Sequence, residues 1–155
     1  WESEAQRASE YGVRVVCVRT APVLGHGGML AELRKTAKFG FLMKLKKQDF
    51  WMSWIHEDDI VNTYLFALET TTVQGVFNAC APESVGHNQF MQKLSHILNR
   101  PVLGSLPRFV AKKLFGEFFA EITRSQRVVP KRLLDKGFEF SYPTLEIALK
   151  EIIKK

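Results

Sequence analysis

The sequence predicts an α/β fold in which two buried parallel strands are joined through a crossover helix, followed by a smaller mixed α+β lobe. Three observations carry this. The runs Val13-Arg14-Val15-Val16-Cys17-Val18 and Gly75-Val76-Phe77-Asn78-Ala79-Cys80 are nearly continuously apolar, as strands covered on both faces are. Trp51 to Leu68 passes from a short apolar strand through the polar turn His56-Glu57-Asp58-Asp59 into an amphipathic helix, and strand, helix and strand across Trp51 to Cys80 fit a right-handed crossover. In the last third, Pro107, Pro130 and Pro143 stand at helix openings, and Phe138, Phe140 and Tyr142 alternate as a strand does.

In order, Glu2 to Tyr11 is a polar helical lead-in that Gly12 stops. The first strand runs into a Gly/Pro-rich loop, Thr20 to Gly28, and Met29 to Phe39 returns to helical spacing. Phe41 to Phe50 is irregular and basic. In the central helix Ile60, Val61, Tyr64, Leu65 and Leu68 form one apolar stripe, and the acidic residues at its start suit the positive end of the helix dipole. The helix is expected to cover the strands, burying Val15, Val18, Ile60, Leu65 and Phe77. A further helix carries Phe90, Met91, Leu94, Ile97 and Leu98 toward the core, and Gly137 ends a short one. The organisation divides at residues 1–85 and 86–155.

At 155 residues, 46% hydrophobic and 25% charged, the composition is that of one soluble globular domain. No apolar run reaches the ~20 residues of a membrane span, and no signal peptide opens the chain, so the expected compartment is the cytoplasm. Cys17 and Cys80 suit a reducing compartment, with a disulfide open to them only if their strands are neighbours. The net charge of +6 is scattered along solvated faces, and no nucleic-acid-binding signature accompanies it.

Chemistry is sparse. His26, His56, His87 and His96 have no metal-ligand spacing, and neither a nucleophile elbow nor a Walker loop occurs. Gly25-His26-Gly27-Gly28 reads as a flexible loop or as a backbone approach to a phosphate. His56 beside Asp58 and Asp59 reads as a structural turn or as an acid/base pair.

The ordered set Trp1-Glu2, Arg19-Thr20 with Val23-Leu24-Gly25 and Gly27-Gly28, then Trp54-Ile55-His56 with Asp58-Asp59, resembles extended short-chain dehydrogenase/reductases. Within them it is similar to an atypical epimerase family. Later pieces agree: Gly75 with Asn78, Ala81-Pro82, Arg100-Pro101, Gly116-Glu117, Ser125-Gln126-Arg127-Val128 with Pro130, Gly137-Phe138 and Tyr142-Pro143. The last third resembles that family's C-terminal domain of unknown function.

The resemblance implies the C-terminal part of a Rossmann-like fold with a substrate lobe. Its nucleotide-binding half, with a Gly-rich turn, and its Tyr-x-x-x-Lys pair have no counterpart in these residues, so no catalytic residue and no metal ligand is assigned. Where the family has a glycine-rich turn, this chain has Leu42-Met43-Lys44-Leu45-Lys46-Lys47, and only Gln48 fits. The implied cofactor is NADP or NAD in the parent protein, with none expected to bind this chain alone. Thr20, Pro22 and Val23 are the implied cofactor-side residues, and Arg127, Gln48 and Trp54 the substrate-side ones. Arg127 otherwise reads as a surface ion pair, and Phe118 and Phe119 line the cleft or fill the core. His56 and Asp58 are the implied structural turn. The expected partner is a nucleotide-sugar-like small molecule, and the edge of the Val13–Val18 strand is expected to pair with a second copy in a homo-oligomer. The alternative is a non-catalytic relative that binds a nucleotide or a protein, in keeping with the cell-division-inhibitor label that similar proteins carry.

Overall fold

A computed structural model describes residues 1–39, 42–45, 50–106 and 126–154. In chain order these form α1 (Glu2–Arg7), a 3-10 turn (Ala8–Tyr11), β1 (Val16–Thr20), β2 (Val23–Leu24), α2 (Gly28–Lys38) and β3 (Leu42–Leu45). Next come β4 (Trp51–Met52), β5 (Ile55–His56), α3 (Glu57–Glu69), β6 (Gly75–Ala79), β7 (Val85–Gly86) and α4 (His87–Leu98). β8 (Val102–Leu106), α5 (Lys131–Asp135) and α6 (Leu145–Lys154) complete the set. Gly12 stops the lead-in with φ 76°, a left-handed conformation that resists a side chain.

The strands pair two by two. β1 and β6 are parallel, in register from Val16↔Gly75 to Thr20↔Ala79, and β2 and β5 are parallel through Val23↔Ile55 and Leu24↔His56. β3 pairs with β8 in parallel and β4 with β7 antiparallel. Backbone bonds from Ala21 to the Ala79 carbonyl (3.0 Å) and from Ile55 to the Pro22 carbonyl (3.1 Å) tie the first two pairs together. The parallel partner of β6 is therefore β1, with α3 on the connection between them. The Trp51 run does not supply that partner: it splits into β4 and β5, which join different strands.

β1 also starts later than its β-branched run suggests. Arg14 turns its guanidinium to the carbonyls of Ala67, Leu68 and Val73 at the end of α3, which holds residues 13–15 as a lead-in, and Val13 is exposed. Phe138 to Tyr142 forms no ladder. Its burial alternates, but its backbone is claimed by the Asp59 carboxylate, which accepts the N–H groups of Ser141 (2.9 Å) and Tyr142 (3.0 Å).

The largest correction concerns α3. Ile60 is buried as expected, but Val61, Tyr64, Leu65 and Leu68 are 48–70% exposed, and the buried face is Asp59, Ile60, Thr63 and Ala67. Two polar residues can face inward because both are satisfied: Asp59 by the two N–H groups, and the Thr63 hydroxyl by donating to the Asp59 carbonyl at 2.7 Å. Val15 and Val18 are half-buried, and Phe77 is buried beneath Ala67, Val73, Leu133 and Phe138. The main core lies elsewhere, where Leu24, Leu30 and Trp54 meet Phe90 and Leu94 of α4 and Leu145, Leu149 and Ile152 of α6.

Candidate functional site

Three groupings of polar side chains stand out among the described residues. The first is a capping knot. His56 is fully buried and caps α3, its Nδ1 accepting the Asp58 backbone N–H at 3.1 Å. Nε2 therefore carries the ring proton and donates to Glu151 of α6 at 3.1 Å, while the ring stacks on Tyr142 at 3.7 Å between centroids. Both nitrogens are occupied and the ring is closed to solvent, so it serves to hold α6 against α3. The Asp58 carboxylate is exposed, 3.7 Å from His56 Nδ1.

The second grouping lies on the loop after β1. Thr20, Pro22 and Val23 are all exposed at the carboxyl ends of β1 and at β2, the edge where open parallel sheets bind ligands. The Thr20 hydroxyl is 3.5 Å from the Tyr64 hydroxyl. Just beyond, one carboxylate organises the glycine run: Glu57 accepts the His26 backbone N–H at 3.3 Å and contacts His26 Nδ1 at 2.6 Å. A Cβ on Gly25 would come within 1.9 Å of the Glu57 carboxylate, so this loop is fitted to Glu57 and needs glycine for close approach.

The third grouping centres on Arg127. Its guanidinium lies 4.7 Å from the centre of the Trp51 ring, and both residues are exposed. The backbone on either side is fixed by Ser53, which donates to the Gln126 carbonyl and accepts the Val128 N–H, each at 3.0 Å. Ser84 adds a third tie by donating to the Val128 carbonyl at 2.9 Å. The result is a cation laid over an indole face on an anchored segment, suited to a carboxylate or phosphate.

Of the residues expected to face substrate, Arg127 is presented this way and Trp54 is not. Trp54 is fully buried in the main core, and its indole nitrogen has no hydrogen-bond partner among the described residues. Gln48, Phe118 and Phe119 lie outside the described residues. Sequence reasoning did not single out Trp51, Ser53 or Ser84. An exposed tryptophan followed by serine two residues on is too common a pattern to flag.

Against the β1–β6 pair a cavity of about 270 Å³ is lined by Arg19, Val76, Asn78, Val129, Lys131 and Arg132. Its cations are partly committed. Arg19 makes two 2.6 Å bonds to Glu2, which hold the Glu2 carboxyl below its usual range, and Arg132 donates to the Val76 and Gln74 carbonyls while lying over the Phe77 ring. Cys17 and Cys80 are both free thiols, and burial pushes Cys80 up to about 11. Among the described residues no His/Cys/Asp/Glu group could hold a metal ion, and no helix is long and apolar enough to cross a membrane.

Parallel strand pairs joined through a crossover helix define a Rossmann-like α/β fold, the fold of the epimerases to which the chain is structurally similar. Residues 106–152 match the family described as Domain of unknown function (DUF1731). The epimerase family protein YfhF of Bacillus subtilis is 34% identical over 155 residues, which is 99% of this chain and 50% of that protein. The crystal structure of human epimerase family protein SDR39U1 with NADPH superposes with a TM-score of 0.86 at 32% identity, covering 92% of this chain and 49% of that one. A nucleoside-diphosphate sugar epimerase from Corynebacterium glutamicum follows at 0.72 and 28%, over 99% of this chain and 29% of that one. Over nearly its whole length the chain is similar to epimerase family proteins, SDR39U1 of Mus musculus among them at 35% identity over 99% of this chain and 53% of that protein. It spans about half the length of the curated relatives it matches.

Proposed function

We propose that this chain provides the substrate-side half of an NAD(P)-dependent epimerase or oxidoreductase that acts on a nucleoside-diphosphate sugar. The observation that carries this reading is Arg127, held over Trp51 by the paired Ser53 bonds. A guanidinium fixed by its face leaves its N–H edges for two oxygens of a diphosphate, and the bonds are charge-assisted. The anchored backbone means that little ordering remains to be done on binding. Similarity to a nucleoside-diphosphate sugar epimerase and to an NADPH-bound relative supports the substrate and cofactor classes.

The residues at the strand ends fit one face of a nicotinamide. Thr20 offers a hydroxyl, and Pro22 and Val23 offer exposed apolar surface beside it. A bound NAD(P) would supply hydride transfer to or from a sugar carbon. This chain's own residues would orient the ring, hold the diphosphate at Arg127 and exclude water with Trp51. Proton transfer is assigned to no residue of this chain.

Calorimetric titration with UDP-glucose tests the reading. Binding should weaken by about 10- to 100-fold in Arg127→Gln, the range expected for lost hydrogen bonds to a charged group. Equal affinity in the two proteins would remove Arg127 from the substrate site.

A further inference from the structure

Three cations line the cavity against β1 and β6, and they differ in what neutralises them. Arg19 has a carboxylate, through its two 2.6 Å bonds to Glu2. Among the described residues Arg132 meets only neutral groups: it donates to the Val76 and Gln74 carbonyls and lies 4.6 Å from the centre of the Phe77 ring. These contacts hold the guanidinium in place and leave its charge uncompensated. Gly75 makes room for it, since a Cβ there would stand 3.4 Å from both terminal nitrogens. The Lys131 ammonium and the Asn78 amide have no hydrogen-bond partner among the described residues.

The fold brings these groups together from separate stretches of the chain. Val76 and Asn78 stand two residues apart on β6 and so share a face, and Arg19 is opposite Asn78 in the β1–β6 register. Val129 and the first two residues of α5, Lys131 and Arg132, close over that face. The cavity therefore holds a fixed guanidinium, a free ammonium and a free amide, with two positive charges in surplus and two valines in its wall. A phosphate group matches this, with a charge close to −2 at neutral pH and three acceptor oxygens. At about 270 Å³ the space suits a compact ligand and is too small for a dinucleotide.

We propose that this cavity is a site for a phosphate group, carried by inorganic phosphate or by a small phosphorylated metabolite. The Arg132 fork and the Lys131 ammonium neutralise the dianion through charge-assisted bonds, and the Asn78 amide donates to a further oxygen. Val76 and Val129 border the carbon part of an ester. Arg127 is not among the lining residues, and the site stands whether or not Arg127 holds a diphosphate.

The test follows the Asn78 side-chain amide and the Arg132 Nε–H by NMR while the chain is titrated with inorganic phosphate or with glucose 6-phosphate, and with sodium chloride at matched ionic strength. Both resonances should shift saturably with phosphate, half-saturating at about 1 mM or below. Lys131→Gln changes an exposed position, so it should leave the thermal melt in place while weakening binding about tenfold or more. Arg127→Gln should leave these shifts unchanged. Tighter binding of glucose 6-phosphate than of phosphate would assign the site to an ester lying on the two valines, and equal or weaker binding would assign it to free phosphate. The proposal fails if neither compound gives a saturable shift, or if chloride alone gives the same one. It fails equally if Lys131→Gln binds as tightly as wild type, or if Arg127→Gln abolishes the shifts.

Discussion

His56 and Glu151 meet across 95 residues of sequence: the buried imidazole donates its Nε2 proton to the Glu151 carboxylate at 3.1 Å and so ties the last helix to the start of α3. Removing the acceptor leaves a buried N–H unsatisfied, at a cost of about 1–3 kcal/mol. Glu151→Ala should lose that much in urea melts, and Glu151→Gln, which keeps an acceptor oxygen, should lose less than half as much. Equal losses would mean that the bond contributes nothing beyond packing.

The face of α3 is open to a direct comparison. Leu65→Ala should cost under ~1 kcal/mol, as changes at exposed positions do. Phe77→Ala, beneath the same helix, should cost about 3–5 kcal/mol. Chemical denaturation of the two variants checks the assignment, and the reverse order would turn the helix over.

What the chain shows in advance, and what it hides, follows from these residues. The apolar runs at β1 and β6 and the acidic start of α3 were legible, because strand burial and helix capping are encoded within a few positions. The Val61–Leu68 stripe misled because periodicity counts apolar side chains. It cannot register that Asp59 is drawn inward by two backbone N–H groups 82 and 83 residues away. Phe138 to Tyr142 has the alternation of a strand without a ladder partner, and alternation alone does not reveal the partner. At the candidate site, the resemblance singled out Arg127. Its support by Ser53, 73 residues from Gln126, depends on tertiary folding that no local pattern records.

Cys80 predicts a pH effect. Its thiol is raised from 9.0 to about 11 by burial, so the folded chain keeps a proton that the unfolded chain gives up. The stability that this contributes is complete below pH 9 and declines as pH rises through about 11. Melts in that window should steepen less in Cys80→Ala than in wild type. Identical slopes would contradict the burial of the thiol.

Gly25→Ala should break the contact of His26 with Glu57 and leave the fold standing, because the atoms closest to the new Cβ are the movable end of the Glu57 side chain. A loss of about 1 kcal/mol is expected, with the His26 ring resonances moving toward those of a free histidine. Unfolding of the variant would show instead that the backbone itself cannot give.

The reading of Arg127 as a diphosphate ligand is tested most directly by the indole N–H resonance of Trp51 in the intact chain. Titration with UDP-glucose or UDP should shift that resonance, whereas uridine and glucose should not, and Arg127→Gln should abolish the response. No shift at millimolar UDP-glucose, or an undiminished shift in Arg127→Gln, would contradict the account.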